Sequence, residues 1–305
     1  MKQHIIDQHS VPIKKEATER LSLRTHEIDT FTGWTPPSRI NLVIAVSFGL
    51  FVPPRILNQA QYGGLNVHPS LLPDLRGPAP IEHAILKRRE YTGVSIQTLH
   101  PQHFDCGTIL AQTPPGRRIP PGTYCRDLKT ELAESGAAML VEVLKSRKFL
   151  PPLVDVGWYA NTNNPVDHAP KITTQDRFID FKQSTLDDVL AVRYALGNPW
   201  CILPNGDRLI LHNIVKTGLF HPPGFEPGVW VQSGYHYGPL VRDAVGRIGL
   251  IVESTYASSK AGKGNAKLLR MLPAEDNVVD PTLWEKYGKF RHKYFLEFRL
   301  NRKRG

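Results

Sequence analysis

An amide and an imidazole stand two residues apart in the stretch Leu65-Asn66-Val67-His68. In a strand, side chains alternate with period two, so Asn66 and His68 share one face. They do so where the chain leaves the strand for a loop carrying Pro69, Pro73, Pro78 and Pro80. Ligands of α/β proteins bind outside the C-terminal ends of parallel strands. The competing reading is a core strand whose polar residues only cap a turn. An imidazole titrates near neutrality, and a side-chain amide can donate to a developing oxyanion. Asp105 is the third candidate, in the loop after the expected strand Tyr91–Leu99. Neighbouring strand ends could bring it to His68. An Asn/His/Asp set with no hydroxyl or thiol nucleophile suits direct attack by a substrate amine on an activated carbonyl, with no covalent enzyme intermediate.

The elements that must position these residues alternate. Ile40–Phe48 is β-branched and almost wholly apolar, as a strand buried on both faces requires. A short helix is expected over Pro54–Ala60, then the strand Leu65–His68. Pro78 and Pro80 suit the first turn of a helix running to about Arg89. Strands follow at Tyr91–Leu99 and around Thr108–Gln112. Thr123–Arg147 repeats Leu128, Leu132, Met139, Leu140, Val143 and Leu144 at helical spacing. Strand-helix alternation to this point predicts a parallel, Rossmann-like α/β domain.

The composition then shifts. Residues 160–171, "ANTNNPVDHAPK", have no apolar periodicity and read as a linker. A helix over Thr185–Leu196 is followed by Asn205-Gly206, a two-residue hairpin signal between Trp200–Leu203 and Arg208–Val215. Further apolar stretches at Val229–Val231, Ile248–Glu253 and Lys267–Leu272 complete the pattern of a small β-barrel. The expected organisation is a first α/β domain over residues 1–159, a linker over 160–171 and a β-barrel domain with a basic tail over 172–305.

The 305 residues carry a net charge of +10, unevenly placed. Residues 286–305 hold eight bases, Lys289, Arg291 and Lys293 among them, against the single acid Glu297. Tyr287, Phe290, Tyr294 and Phe295 interleave these charges. A basic surface with aromatics reads as a polyanion contact, RNA being the commonest. The loop Ser258–Lys267, "SSKAGKGNAK", is unlike a nucleotide-binding P-loop, because glycine follows Gly262-Lys263 where Ser or Thr is needed. Its Lys260, Lys263 and Lys267 can still meet RNA phosphates. No run approaches the ~18 apolar residues that cross a bilayer, so no membrane partner is expected. Cys106, Cys125 and Cys201 form no C-x-x-C, and the histidines lack ligand spacing, so no metal is expected. The N-terminal stretch has no apolar run and carries Asp7, Glu16 and Glu19, so no presequence is visible.

"LNVHPSLLPDLRGPAPI", followed by "TGVSIQTLHPQHFDCGTIL", resembles the signature of the folate-dependent formyltransferases. The resemblance implies an active site of Asn66, His68 and Asp105, the last in Asp105-Cys106-Gly107. It implies a tetrahydrofolate-contacting turn at Ser70, Leu71, Leu72 and Pro73. Residues 180–200, "DFKQSTLDDVLAVRYALGNPW", resemble the C-terminal domain of those members that act on methionyl-tRNA, and the extra residue before Asp105 is similar to the mitochondrial branch. Formyl transfer from 10-formyltetrahydrofolate to the amine of methionyl-tRNA, in the mitochondrial matrix, is therefore expected. The tRNA would meet an OB-like barrel through Lys260, Lys263, Lys267, Lys289, Arg291 and Lys293. The rivals are formyl transfer to a small amine and an inactive RNA-binding remnant. The family's first domain opens with a strand-helix-strand unit. Here "VPIKKEATERLSLRTHEI" resembles the third helical stretch, so that opening unit is expected to be absent.

Overall fold

The computed structural model describes residues 12–36, 40–220, 226–233, 239–256, 259–272 and 274–275. A short helix α1 (Pro12–Lys15) runs on as a π turn over Glu16–Arg20. The first sheet takes its strands from β1 (Val43–Val46), β2 (Gly64–His68), β4 (Ser95–Thr98) and β5 (Ile109–Gln112), with α2 (Pro54–Leu57) and α3 (Pro80–Leu86) between them. β3 (Tyr91–Thr92) pairs separately with β6 (Arg117–Arg118). Proline at the first turn of α2 and of α3 costs no hydrogen bond there and presets φ.

The sheet order is β1-β2-β4-β5. The expected parallel arrangement is present between β1 and β2, where Ala45 pairs with Asn66. The other two pairings are antiparallel. The physical reason is plainest at β4–β5: they are joined by the loop Leu99–Thr108, too short for the crossover that a parallel pair requires. β1 pairs only with β2 among the described residues, and Ile44 and Val46 stand half exposed on one of its faces.

α4 (Cys125–Lys145) covers this sheet with Leu128, Leu132 and Val143, which pack with Leu65, Val94, Ile96 and Leu110. Leu65 is almost wholly buried beside Asn66, and its truncation to alanine would cost roughly 2–5 kcal/mol. Gly136 lets the helix approach closely: a Cβ there would stand 2.8 Å from Val67 Cγ1. The helix thus bears directly on the strand that carries Asn66 and His68.

α5 (Leu186–Leu196) belongs to both halves of the molecule. Ala195 and Leu196 join the first core, while Leu186, Val189 and Val192 join the second. Its start is fixed by a capping box, Thr185 accepting from Asp188 N while Asp188 accepts from Thr185 N at 2.8 Å. The buried Asp243 accepts from the backbone N–H groups of Leu186, Val245 and Arg247, which ties that helix start to the second sheet.

That sheet contains β7 (Trp200–Ile202), β8 (Arg208–Phe220), β9 (Trp230–Ser233), β10 (Pro239–Arg242), β11 (Arg247–Tyr256) and β12 (Ala274–Glu275), in the order β12-β9-β10-β11-β8-β7. All its pairings are antiparallel except β12 with β9. The hairpin at Asn205-Gly206 is where the sequence places it. No pairing joins β7 to β12 among the described residues, so the barrel expected here is seen as an open sheet. Lys267–Leu272, expected as a strand, instead lies in and just beyond helix α6 (Gly264–Met271). Gly264 and Leu268, four residues apart, are the buried positions, a helical spacing that the short apolar run concealed.

Residues 160–171 begin inside a 3-10 turn over Tyr159–Asn161, run on as irregular chain and do not hang free. Asp167 O accepts from Leu75 N at 2.8 Å, and Ala169 N donates to Arg76 O at 2.8 Å.

Candidate active site

The structure brings Asn66, His68 and Asp105 into contact. β2 carries the first two on one face, and Asp105 comes from the loop between β4 and β5. Asn66 Nδ2 donates to Asp105 Oδ1 at 3.2 Å, and His68 Nδ1 lies 3.3 Å from the same oxygen. The His68 and Asp105 side chains are 6% and 7% exposed. Gly77 N donates to Asp105 Oδ2 at 2.9 Å, and Arg76 Nε donates to the Asp105 carbonyl at 2.9 Å. A buried carboxylate is tolerable only when paired or hydrogen-bonded, and this one is both.

His68 Nε2 lies 3.0 Å from the carbonyl oxygen of Leu75. Both ring nitrogens therefore face oxygens. Burial pulls the His68 pKa below its ordinary value, with Asp105 and the Leu75 carbonyl pulling the other way and Arg76 adding to the lowering. The neutral ring has one N–H for two acceptors; on taking a second proton it satisfies both. Asp105 and the Leu75 carbonyl thus offset part of the cost that burial sets on the ring's cation.

The loop that supplies the Leu75 carbonyl is held from behind. Ser70 and Ser95 are wholly buried, and Ser95 Oγ donates to Ser70 O at 2.8 Å while accepting from Leu72 N at 3.1 Å. Gln112 Nε2 donates to Leu72 O at 2.8 Å. Leu71 and Leu72 are buried as well, and Pro73 is partly so. The backbone of Ser70 and Leu72 is thus taken up by these bonds, and the part-exposed Pro73 forms the rim of the turn.

Asp74 is clamped by Arg89, Nε to Oδ2 at 2.9 Å and Nη2 to Oδ1 at 3.0 Å. Arg89 Nη2 also reaches Asp167 Oδ2 at 2.6 Å, and Asp167 N donates to Asp74 Oδ1 at 2.8 Å. Arg89 is the main reason that the Asp167 carboxyl sits below the usual carboxylate range.

Other site candidates lie elsewhere. Lys263 occupies the position just before α6, and Lys267 places its ammonium 4.1 Å from the centre of the Tyr256 ring. With Lys260 they belong to the second sheet's side of the molecule and do not join the Asp105 cluster. Lys289, Arg291 and Lys293 lie outside the described residues.

Sequence reasoning missed Gln97, Arg76, Gly77 and the Asp74–Arg89–Asp167 group. A signal existed for Gln97, the one side-chain amide in the expected strand Tyr91–Leu99. Asp74 and Asp167 stand far apart in sequence, and nothing local marks them as partners.

A formyl transferase family model matches residues 4–144. The methionyl-tRNA formyltransferase of Novosphingobium aromaticivorans is 32% identical over 233 residues, 75% of this chain and 68% of that protein. The mitochondrial methionyl-tRNA formyltransferase of Mus musculus is 36% identical over 174 residues, which cover 57% of this chain and 42% of the mouse protein. The match thus spans less than half the length of that mitochondrial relative. Among solved structures, HypX from Aquifex aeolicus in complex with tetrahydrofolic acid has a TM-score of 0.50 at 17% identity, covering 77% of this chain and 40% of that one, a likeness of fold.

Proposed function

The chain belongs to the formyl transferase family, and from that membership we propose that it transfers a formyl group from 10-formyltetrahydrofolate to the amine of methionyl-tRNA. The observation that carries the reading is the convergence of Asn66 and His68 on Asp105 at the end of a strand, in a buried setting. In the proposed reaction the amine attacks the formyl carbon, the carbonyl oxygen becomes an oxyanion, and the bond from that carbon to N10 breaks as N10 gains a proton. Asn66 and His68 are assigned to the oxyanion and the leaving nitrogen. Asp105 orients His68 and stabilises its cation, so the amine's proton has a place to go. The turn Ser70–Pro73 would meet the folate at its Pro73 rim.

The division of labour follows. Residues 1–159 carry the chemistry, 160–171 join the parts, and 172–305 form the OB-like barrel that meets the tRNA, with the eight bases of residues 286–305 contributing charge. The six-stranded sheet of β7–β12, antiparallel except between β12 and β9, supports that assignment. A mitochondrial site of action is inferred from the named mitochondrial relatives.

The test offers the purified chain 10-formyltetrahydrofolate with either methionyl-tRNA or free small amines, an amino sugar and a glycine amide among them. Formylation of methionyl-tRNA in strong preference to the small amines is expected. Equal or faster formylation of a small amine would overturn the substrate assignment, and no transfer to any amine would overturn the activity.

A further inference from the structure

Gln97 joins the site from β4, directly opposite Asn66 in the β2–β4 ladder. Its side chain is enclosed, the residue being 1% exposed. The amide is used at both ends. Nε2 donates to Asp105 Oδ1 at 3.0 Å, and Oε1 accepts from Gly107 N at 3.0 Å. One side chain therefore grips both ends of Asp105-Cys106-Gly107.

That loop needs a grip. Asp105 is held at φ +53°, a region a non-glycine residue rarely adopts. Gly107 lies so close to the opposite strand that a Cβ would stand 1.8 Å from the Thr98 carbonyl oxygen. The pairing of β4 with β5 also shifts register between Ile96 and Gln97, an irregularity of the kind that re-aims a side chain beside a site.

We propose that Gln97 is a positioning residue for formyl transfer: it keeps the Asp105 carboxylate aimed at His68 Nδ1 when Asn66 turns its amide to the substrate. The inference rests on the activity proposed above. Its logic lies in the competition at Asp105 Oδ1, where Asn66 and Gln97 both donate and the Asn66 bond is the longer. If Asn66 is to stabilise an oxyanion, it gives up some or all of that bond. A buried carboxylate stripped of a donor would otherwise swing or take up a proton. Gln97 supplies a neutral donor that never leaves, and it adds no positive charge to compete with His68. The charged groups facing this carboxylate are then His68 from β2 and Arg76, which binds the Asp105 backbone from the Ser70–Gly77 loop.

Two substitutions separate the functions of the amide. Gln97→Met keeps the length and loses both bonds. It should lower kcat about 10- to 100-fold, the worth of one hydrogen bond to a charged group, while KM for methionyl-tRNA stays within about twofold of the parent chain. Gln97→Glu keeps an oxygen for Gly107 N but sets a second carboxyl against Asp105 Oδ1. Two carboxyls in contact share a proton, and only the shared-proton form reproduces the donor. Its activity should therefore be highest at acid pH and fall as pH rises, in a range where the parent chain gains activity.

A readout independent of turnover is the His68 imidazole NMR titration. In Gln97→Met it should move to lower pH, because the counter-charge is less well aimed. Parent-like kcat in Gln97→Met, or a Gln97→Glu pH profile that superimposes on the parent's, would overturn the positioning role. So would an unmoved His68 titration in a folded Gln97→Met. Should Gln97→Met fail to unfold cooperatively, the profile of the near-isosteric Gln97→Glu decides. An inactive parent chain would sink the activity proposal instead, and the His68 titration would still judge Gln97.

Discussion

Replacing Arg89 by methionine should unsettle the molecule more than any other single change among its described ion pairs. The Arg89 and Asp74 side chains are 12% and 6% exposed and meet through two bonds. Removal of the guanidinium leaves Asp74 buried with the Asp167 N–H as its remaining donor. Stranding one member of a buried pair costs about 3–5 kcal/mol. Asp167, 41% exposed, is the lesser partner: an exposed pair contributes about 0–1 kcal/mol, so Asp167→Asn should change little. For a chain of 305 residues the Arg89→Met loss corresponds to a fall in thermal midpoint of about 5–8 °C. The double variant Arg89→Met/Asp74→Asn removes the stranded charge but keeps an oxygen for Asp167 N–H, and should regain at least half of the loss. Thermal and urea unfolding of the parent, Asp167→Asn, Arg89→Met and the double variant make the assay. A midpoint within about 2 °C of the parent in Arg89→Met, or a double variant worse than the single, would refute the argument.

Two other outcomes follow from charge. Burial holds the His68 pKa below the ordinary imidazole value of 6.5, so on acidification the unfolded chain takes a proton before the folded one does; this share of stability is complete above about pH 6.5 and drains away as pH falls toward the folded value. His68→Gln should flatten the thermal midpoint between pH 7 and pH 5, and curves that keep the same slope would contradict the assignment. Deleting residues 289–305 removes most of the basic cluster and should flatten the salt dependence of tRNA affinity by ~0.7–0.9 in logarithmic slope for each phosphate no longer neutralised. An unchanged slope would move the RNA surface elsewhere, with Lys260, Lys263 and Lys267 around the start of α6 the first place to look.

The core of the site was legible because its signal is local. Period-two alternation places Asn66 and His68 together, and the short loop after β4 delivers Asp105 to them. What joins segments distant in sequence was not legible. Arg89 clamps Asp74 and Asp167, and Gln97 grips Asp105 across a register shift, yet neither partnership leaves a periodic trace. Strand direction was misjudged for the same reason: alternation identifies a strand, but the length of its connection decides which way it runs, as Leu99–Thr108 does for β5. In the second sheet, Asn205-Gly206 marked its hairpin because the turn chemistry is specific. Lys267–Leu272 misled because six residues are too few to tell a helical from an extended apolar pattern.

In the proposed mechanism Asp105 readies His68 for formyl transfer. The most direct measurement is single-turnover formylation of methionyl-tRNA by Asp105→Ala beside the parent chain, with tRNA affinity measured on the same samples. A rate lower by ~10²–10³, with tRNA affinity within about twofold, is the expected result. A near-parental rate in a folded Asp105→Ala chain would contradict the mechanism at its centre.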